Sequence, residues 1–181
     1  MAAPKAGRAA VFLDRDGVLN ADSGYVYKLS DLRVLDGVPA ALAELKRRGF
    51  LLIVISNQSG VARGLFDVQA VEAFNAELGK AIERQGGPKL DAVYYCPHLS
   101  DGQVAAYKKA CNCRKPEPGM ILEAASAFGL DLAASYMVGD KADDVECAAR
   151  AGVKGIQVER LGDAKRHAKA IAHVRSLKDA L

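Results

Sequence analysis

Four short stretches of the chain carry residue types that could do chemistry together. "FLDRDG" places Asp14 and Asp16 two residues apart, so in extended backbone their carboxylates point the same way. Such a pair suits a hard cation such as Mg²⁺. It also suits a division of labour in which one carboxylate attacks and the other moves a proton. The Asp-Gly step also reads as a turn, the weaker alternative, whereas a calcium loop fails because Val18 stands where a third acid is needed. "VISNQSG" ends an apolar run with Ser56, Asn57 and Gln58, and the Ser59-Gly60 turn that follows has backbone N–H groups that could face an anion or simply close a strand. "SYMVGDKADD" sets Asp140 and Lys141 at the end of another apolar run. Asp140 could complete a metal site begun by Asp14, or Asp140 or Asp143 could cap the next helix. Lys115, in "CRKPEP", is a cation suited to a phosphate held among these acids.

A fifth stretch, "CPHLSDGQVAAYKKACNC", holds three of the four cysteines and one of the three histidines. Cys96, His98, Cys111 and Cys113 are a Cys₃His set of the kind that closes a tetrahedral Zn²⁺ site. A closed site offers no open position to substrate, so the expected role is structural. The C-x-H and C-x-C spacings are tighter than usual, and reduced core cysteines are the alternative reading. Arg114 and Lys115 follow the last of these ligands directly, so fixing Cys113 fixes where two positive charges start. Cys147 reads as core, and His167 and His173 as surface or packing residues.

The elements that must position these groups follow from hydrophobic patterning. Apolar runs at residues 9–13, 51–56, 91–96, 135–140 and 154–159 read as buried strands. Residues 37–49, with Pro39 in the first turn and Gly49 at the stop, read as a helix. So do residues 67–85, with Asp67 as N-cap and Val71, Phe74 and Leu78 on one face, and residues 118–129 and 142–152. The alternation predicts an α/β sandwich of three layers with a mostly parallel central sheet. In such a sheet ligands bind beyond the carboxyl ends of the strands, where three of the reactive stretches fall. The two long connections, residues 14–36 and 96–117, are expected to be functional.

Composition narrows the class. The chain has 181 residues, half of them hydrophobic and 26% charged, with a formal net charge of only +3. That balance, with no tryptophan and no basic block interleaved with aromatics, argues against nucleic acid as a partner. The longest apolar run, Phe50 to Ile55, is far too short to span a membrane, and Asp14 and Arg15 interrupt the N-terminus too soon for a signal peptide. A cytoplasmic chain is expected, in which clustered cysteines point to metal rather than disulfides.

The order "FLDRDG", "SNQSG", "CRKPEPGM", "MVGDKADD" resembles the four motifs of the haloacid dehalogenase (HAD) superfamily of phosphatases. "DSGYVY", "NQSGVARG", "YYCPH" and "CNCRKP" are similar to its zinc-containing, capless branch of heptose-bisphosphate phosphatases. The likeness spans roughly residues 9–158 and implies a Rossmann-like fold without a large cap. It implies one phosphatase domain over residues 1–181, with the zinc loop 96–113 inserted. It also implies Asp14 as nucleophile, Asp16 as general acid and base, and Ser56 and Lys115 on the transferring phosphate. Mg²⁺ would be held by Asp14, the Asp16 carbonyl and Asp140. Asp22, Gly24, Tyr25, Asn57, Gln58, Ser59, Arg114 and Lys141 would surround the substrate, and Asp144 would support the metal acids from behind. The implied substrate is a small sugar bisphosphate in heptose supply for lipopolysaccharide, and the implied state a monomer. The chain departs from the pattern at Ser56, where threonine is frequent, and in "VERLGDAKRH", which lacks a glycine-threonine turn. Histidinol-phosphate phosphatases share the aspartate pair and the zinc loop, and a zinc-stapled binding module without turnover is a reading from another class.

Overall fold

The continuous apolar runs become strands because both of their faces are covered. The computed structural model describes residues 7–159 and 166–181; most of the "VERLGDAKRH" segment, residues 160–165, lies outside them. Strands β1 (Ala10–Leu13), β2 (Leu51–Asn57), β3 (Ala92–Cys96), β4 (Tyr136–Gly139), β5 (Lys154–Val158) and β6 (Ala172–Val174) form one sheet in the order β3-β2-β1-β4-β5-β6. Every neighbouring pair is parallel. The chain reverses direction across the sheet at β1 and β4, and the crevice between their carboxyl ends is where such a fold receives ligands.

Side chains alternate across the sheet and so meet two different layers of helix. Val11 and Leu13 of β1, with Leu52 and Val54 of β2, pack against α1 (Val38–Arg47) and α2 (Val68–Arg84) through Leu42, Leu45, Leu78 and Ile82. Ala10 and Phe12, with Leu51, Ile53 and Ile55, pack against α3 (Gly119–Phe128) and α4 (Ala142–Ala151) through Met120, Ile121, Ala124 and Ala148. Cys147 lies in this second layer, as its position among small residues predicts.

Helix ends follow the sequence with one correction. The Asp67 carboxylate accepts the Ala70 N–H at 2.8 Å and caps α2 as expected. Neither Asp140 nor Asp143 caps α4: the N-cap is Lys141, whose N–H donates to Asp144 Oδ2 at 2.9 Å. Asp144, at the third helical position, is the residue that can reach back one turn. Strand β6 and the 3₁₀ turn at Leu177–Ala180 were not expected, because three edge residues carry too little periodicity to register.

One side chain ties the start of β1 to the loop before β4. Buried Ser135 Oγ accepts the Ala10 N–H at 2.9 Å and donates to the Asp131 carbonyl at 2.6 Å. Ser135→Ala leaves both backbone groups without that partner and should cost about 1–3 kcal/mol in urea unfolding, with turnover retained.

Candidate active site

The carboxyl ends of β1, β2 and β4 and the loop before α3 meet at one point. A small cavity of about 40 Å³ there is lined by Asp14, Asp16, Ser56 and Lys115, together with Asn57, Lys141, Asp143 and Asp144. All four residues expected to handle the phosphate are therefore together. A cleft of about 310 Å³ shares Asp16, Asn57, Lys141 and Asp143 with it. That cleft is lined by every residue expected around the substrate: Asp22, Gly24, Tyr25, Asn57, Gln58, Ser59, Arg114 and Lys141. A larger cavity of about 490 Å³, between Arg33 and Arg175, contains none of them and is bordered by one carboxylate, Asp36. The convergence of reactive groups, not size, marks the site.

Lys115 is the hub. It is 2% exposed, and Nζ donates to Asp14 Oδ1 and to the Ile55 carbonyl, each at 2.9 Å. It also pairs with Asp144 Oδ1 at 2.6 Å, so all three ammonium protons have partners. Burial alone would lower its pKa, but the charges of Asp14 and Asp144 outweigh burial and hold it above the ordinary lysine value. Its backbone is clamped as well: Asn57 Oδ1 accepts the Lys115 N–H and Asn57 Nδ2 donates to the Lys115 carbonyl, both at 3.0 Å. The Asn57 amide thus spends both ends placing Lys115 while its side chain borders the cleft.

Asp14 Oδ1 also accepts the Arg15 N–H at 2.9 Å. Both of the hydrogen bonds to Asp14 therefore fall on Oδ1, and Oδ2 accepts none among the described residues. Ligand atoms of Asp14, Asp140 and Asp144 lie within 4.8 Å of one another, a set of hard oxygens suited to Mg²⁺. Within it Asp144 is spoken for, with one oxygen on Lys115 and the other on the Lys141 N–H. Asp14 and Asp140 are the members better suited to a cation. Gly139 makes this packing possible: a Cβ there would lie 2.2 Å from the Asp144 Cβ.

Asp16 faces a different set of groups. Burial pushes its carboxyl above the ordinary aspartate value, against the opposing pull of the Arg15 guanidinium. Gln58 Nε2 donates to Asp16 Oδ2 at 3.2 Å and to Ser56 Oγ at 2.8 Å, so this amide bridges the acid and the hydroxyl. Around the cleft, Asp22 Oδ1 accepts the Gly24 N–H at 2.8 Å, and Lys141 Nζ stands 3.6 Å from Asp22 Oδ2. Half-exposed Tyr25 adopts a left-handed φ of 47° beneath the Arg63 guanidinium. Arg15 and the full burial of Asp144 are what sequence reading passed over. The available signal for the first was an arginine set between two aspartates at the end of a buried strand.

The cysteine cluster sits where β3 ends. Cys96, Cys111 and Cys113 Sγ are 3.2–3.5 Å apart, too far for disulfides, and His98 Nδ1 lies 3.3 Å from Cys113 and 3.7 Å from Cys96. A tetrahedron with bonds of about 2.3 Å has edges of about 3.8 Å, so the four atoms are spaced to close on one soft cation. Arg114 Nη1 points back to the His98 carbonyl at 3.5 Å, linking the cluster to the cleft.

Similarity to known proteins agrees with this geometry. A family model described as "HAD-hyrolase-like" matches residues 112–180. The chain is 46% identical over 144 residues to the D-glycero-β-D-manno-heptose-1,7-bisphosphate 7-phosphatase of Escherichia coli O6:H1, covering 80% of this chain and 75% of the relative. It is 44% identical over 158 residues to the protein of the same name from Haemophilus ducreyi, covering 87% and 86%. Its fold matches the crystal structure of D,D-heptose 1,7-bisphosphate phosphatase from B. bronchiseptica complexed with magnesium and phosphate, with a TM-score of 0.81, 32% identity and 95% of each chain covered. With the reactive groups converging as they do, these likenesses place the chain among the HAD-like hydrolases, and it belongs to the D-glycero-β-D-manno-heptose-1,7-bisphosphate 7-phosphatase family.

Proposed function

We propose that the protein removes the 7-phosphate of D-glycero-β-D-manno-heptose 1,7-bisphosphate, in the supply of activated heptose for lipopolysaccharide. The observation that carries this is the meeting of Asp14, Asp16, Ser56 and Lys115 in one small cavity that shares residues with a polar cleft of sugar-phosphate size. The names of the relatives support the substrate and the β anomer. Asp14 attacks phosphorus through a carboxylate oxygen; the bond to the sugar oxygen breaks, and Asp16 gives that oxygen its proton. Water then attacks the aspartyl-phosphate, Asp16 takes the water's proton, and phosphate leaves with both aspartates restored. Lys115 neutralises charge on the transferring group, and the Ser56 hydroxyl and the turn at Ser59 hold its oxygens. The raised pKa of Asp16 favours the protonated form that the first step requires.

The donor set fits Mg²⁺ held by Asp14, Asp140 and the Asp16 carbonyl, which supplies positive charge to an anionic phosphate facing carboxylates. Asp22, Gly24, Tyr25, Arg114 and Lys141 are assigned to the sugar and its distal phosphate, Arg114 for its planar two-point fork. Cys96, His98, Cys111 and Cys113 are assigned to a structural Zn²⁺. We read residues 1–181 as one domain, acting as a cytoplasmic monomer. No helix among the described residues is long and apolar enough to cross a membrane.

Phosphate release from the β and α anomers and from histidinol phosphate, with and without Mg²⁺, tests the reading. The β anomer with Mg²⁺ should turn over fastest, and a preference for histidinol phosphate would overturn the assignment. Cys111→Ser tests the clasp. Metal analysis should find the zinc lost, and turnover should fall about 10–100-fold because Arg114 and Lys115 lose their anchor. A zinc-free variant with full stability and full turnover would remove the clasp from the account.

A further inference from the structure

Arg15 lies between the two aspartates, yet it is 1% exposed. Its Nε donates to Asp16 Oδ1 at 3.0 Å and its Nη2 to Asp16 Oδ2 at 2.7 Å, a side-on fork on both carboxylate oxygens. Nη2 also donates to the Val26 carbonyl at 2.7 Å, and Nη1 to Asn75 Oδ1 of α2 at 3.0 Å. The guanidinium carbon lies 4.6 Å from the Phe74 ring centroid. Burying an arginine is costly unless its donors are met, and here each of its nitrogens has an acceptor. The arginine reaches neither substrate cavity, so its effect must pass through what it holds.

A carboxylate has about four lone-pair positions. Arg15 takes one on each oxygen of Asp16, and Gln58 takes a second on Oδ2. The position left over is on Oδ1. The fork also prevents the carboxyl from rotating, which would exchange its oxygens. Val26 adjoins Tyr25 and Gly24, which line the cleft, so the same guanidinium joins Asp16 to the loop that receives the sugar.

We propose that Arg15 is a positioning residue for the reaction: its fork leaves one lone pair of Asp16 Oδ1 to carry the transferred proton and locks that carboxyl to the substrate loop at Val26. This rests on Asp16 being the general acid. A general acid matters most when the leaving group is poor, so the test is kcat/KM across aryl phosphates from 4-nitrophenyl phosphate to esters of weakly acidic phenols. Lysine at position 15 keeps the charge but not the two-point fork. Arg15→Lys should lower kcat/KM by about 10²-fold for the poorest leaving group and by less than about threefold for 4-nitrophenyl phosphate. Equal loss along the whole series, or no loss, overturns the proposal. Asp16→Asn in the same series separates the two readings. If it steepens the dependence and Arg15→Lys does not, only the Arg15 assignment falls. If it does not steepen it, the acid assignment falls and Arg15 with it. Should Arg15→Lys fail to fold, Asn75→Ala, which frees only the far end of the guanidinium, decides the matter: a shallower steepening of the same sign supports the proposal, and parallel loss or none overturns it.

Discussion

Asp14→Asn should fold normally and release no measurable phosphate. The asparagine carbonyl can still accept from Lys115 Nζ and the Arg15 N–H, the two bonds that now end on Asp14 Oδ1. Lys115 keeps Asp144 and the Ile55 carbonyl. The stability change should stay within about 1–2 kcal/mol, the scale of one altered hydrogen bond. Turnover should fall by at least about 10⁴-fold, because the amide is not a nucleophile and the two-step route closes. Single-turnover mixing followed by acid quench and mass spectrometry should find a phosphoryl adduct on Asp14 in the wild type and none in the variant. Full activity in Asp14→Asn would point to another nucleophile, and a wild type without turnover on the bisphosphate would leave a binding module as the better account.

Lys115→Met should be the most damaging substitution to the fold and the site together. Methionine has similar length and no charge, so Asp14 and Asp144, 5% and 1% exposed, would face each other across a gap without their shared cation. Breaking a buried ion pair from one side costs about 3–5 kcal/mol, which for a chain of this size lowers the melting temperature by roughly 10 °C. The loss should be largest in Mg²⁺-free buffer, where Lys141 offsets the charge of Asp14 without help from a bound metal. Turnover should drop by about 10²–10³-fold, the scale of losing one preorganised positive charge beside the transferring phosphate. The pH dependence has a definite sign. The folded pKa of Lys115 lies above the unfolded value of about 10.4, so its contribution is complete below that pH and is lost only as pH rises through the folded value. The stability gap between wild type and variant should therefore not depend on lysine titration near neutrality.

Much of this is legible in the sequence. β1 and β2 are covered on both faces, so they appear as unbroken apolar runs, and the reactive residues follow directly at their ends. The zinc-type cluster was legible because ligand chemistry depends on residue type and the loop had only to bring together pairs already close in sequence. Strand β6 was not legible, since its pairing with β5 is decided by the sheet edge and not by its own three residues.

Residue types and their order along the chain determined the fold class, the reactive groups and the family. The partners of those groups were decided only by tertiary structure. Lys115 meets Asp14 across 101 residues and Ile55 across 60, and Asn57 reaches Lys115 across 58. Asp144 changed from a supporting acid to a buried partner of Lys115, and Arg15 from a charge between two acids to the clamp on one of them. The physical reason is that hydrophobic periodicity is a local property of the chain. Hydrogen bonds and ion pairs depend instead on angstrom-scale distance and direction between side chains that only the folded sheet brings together.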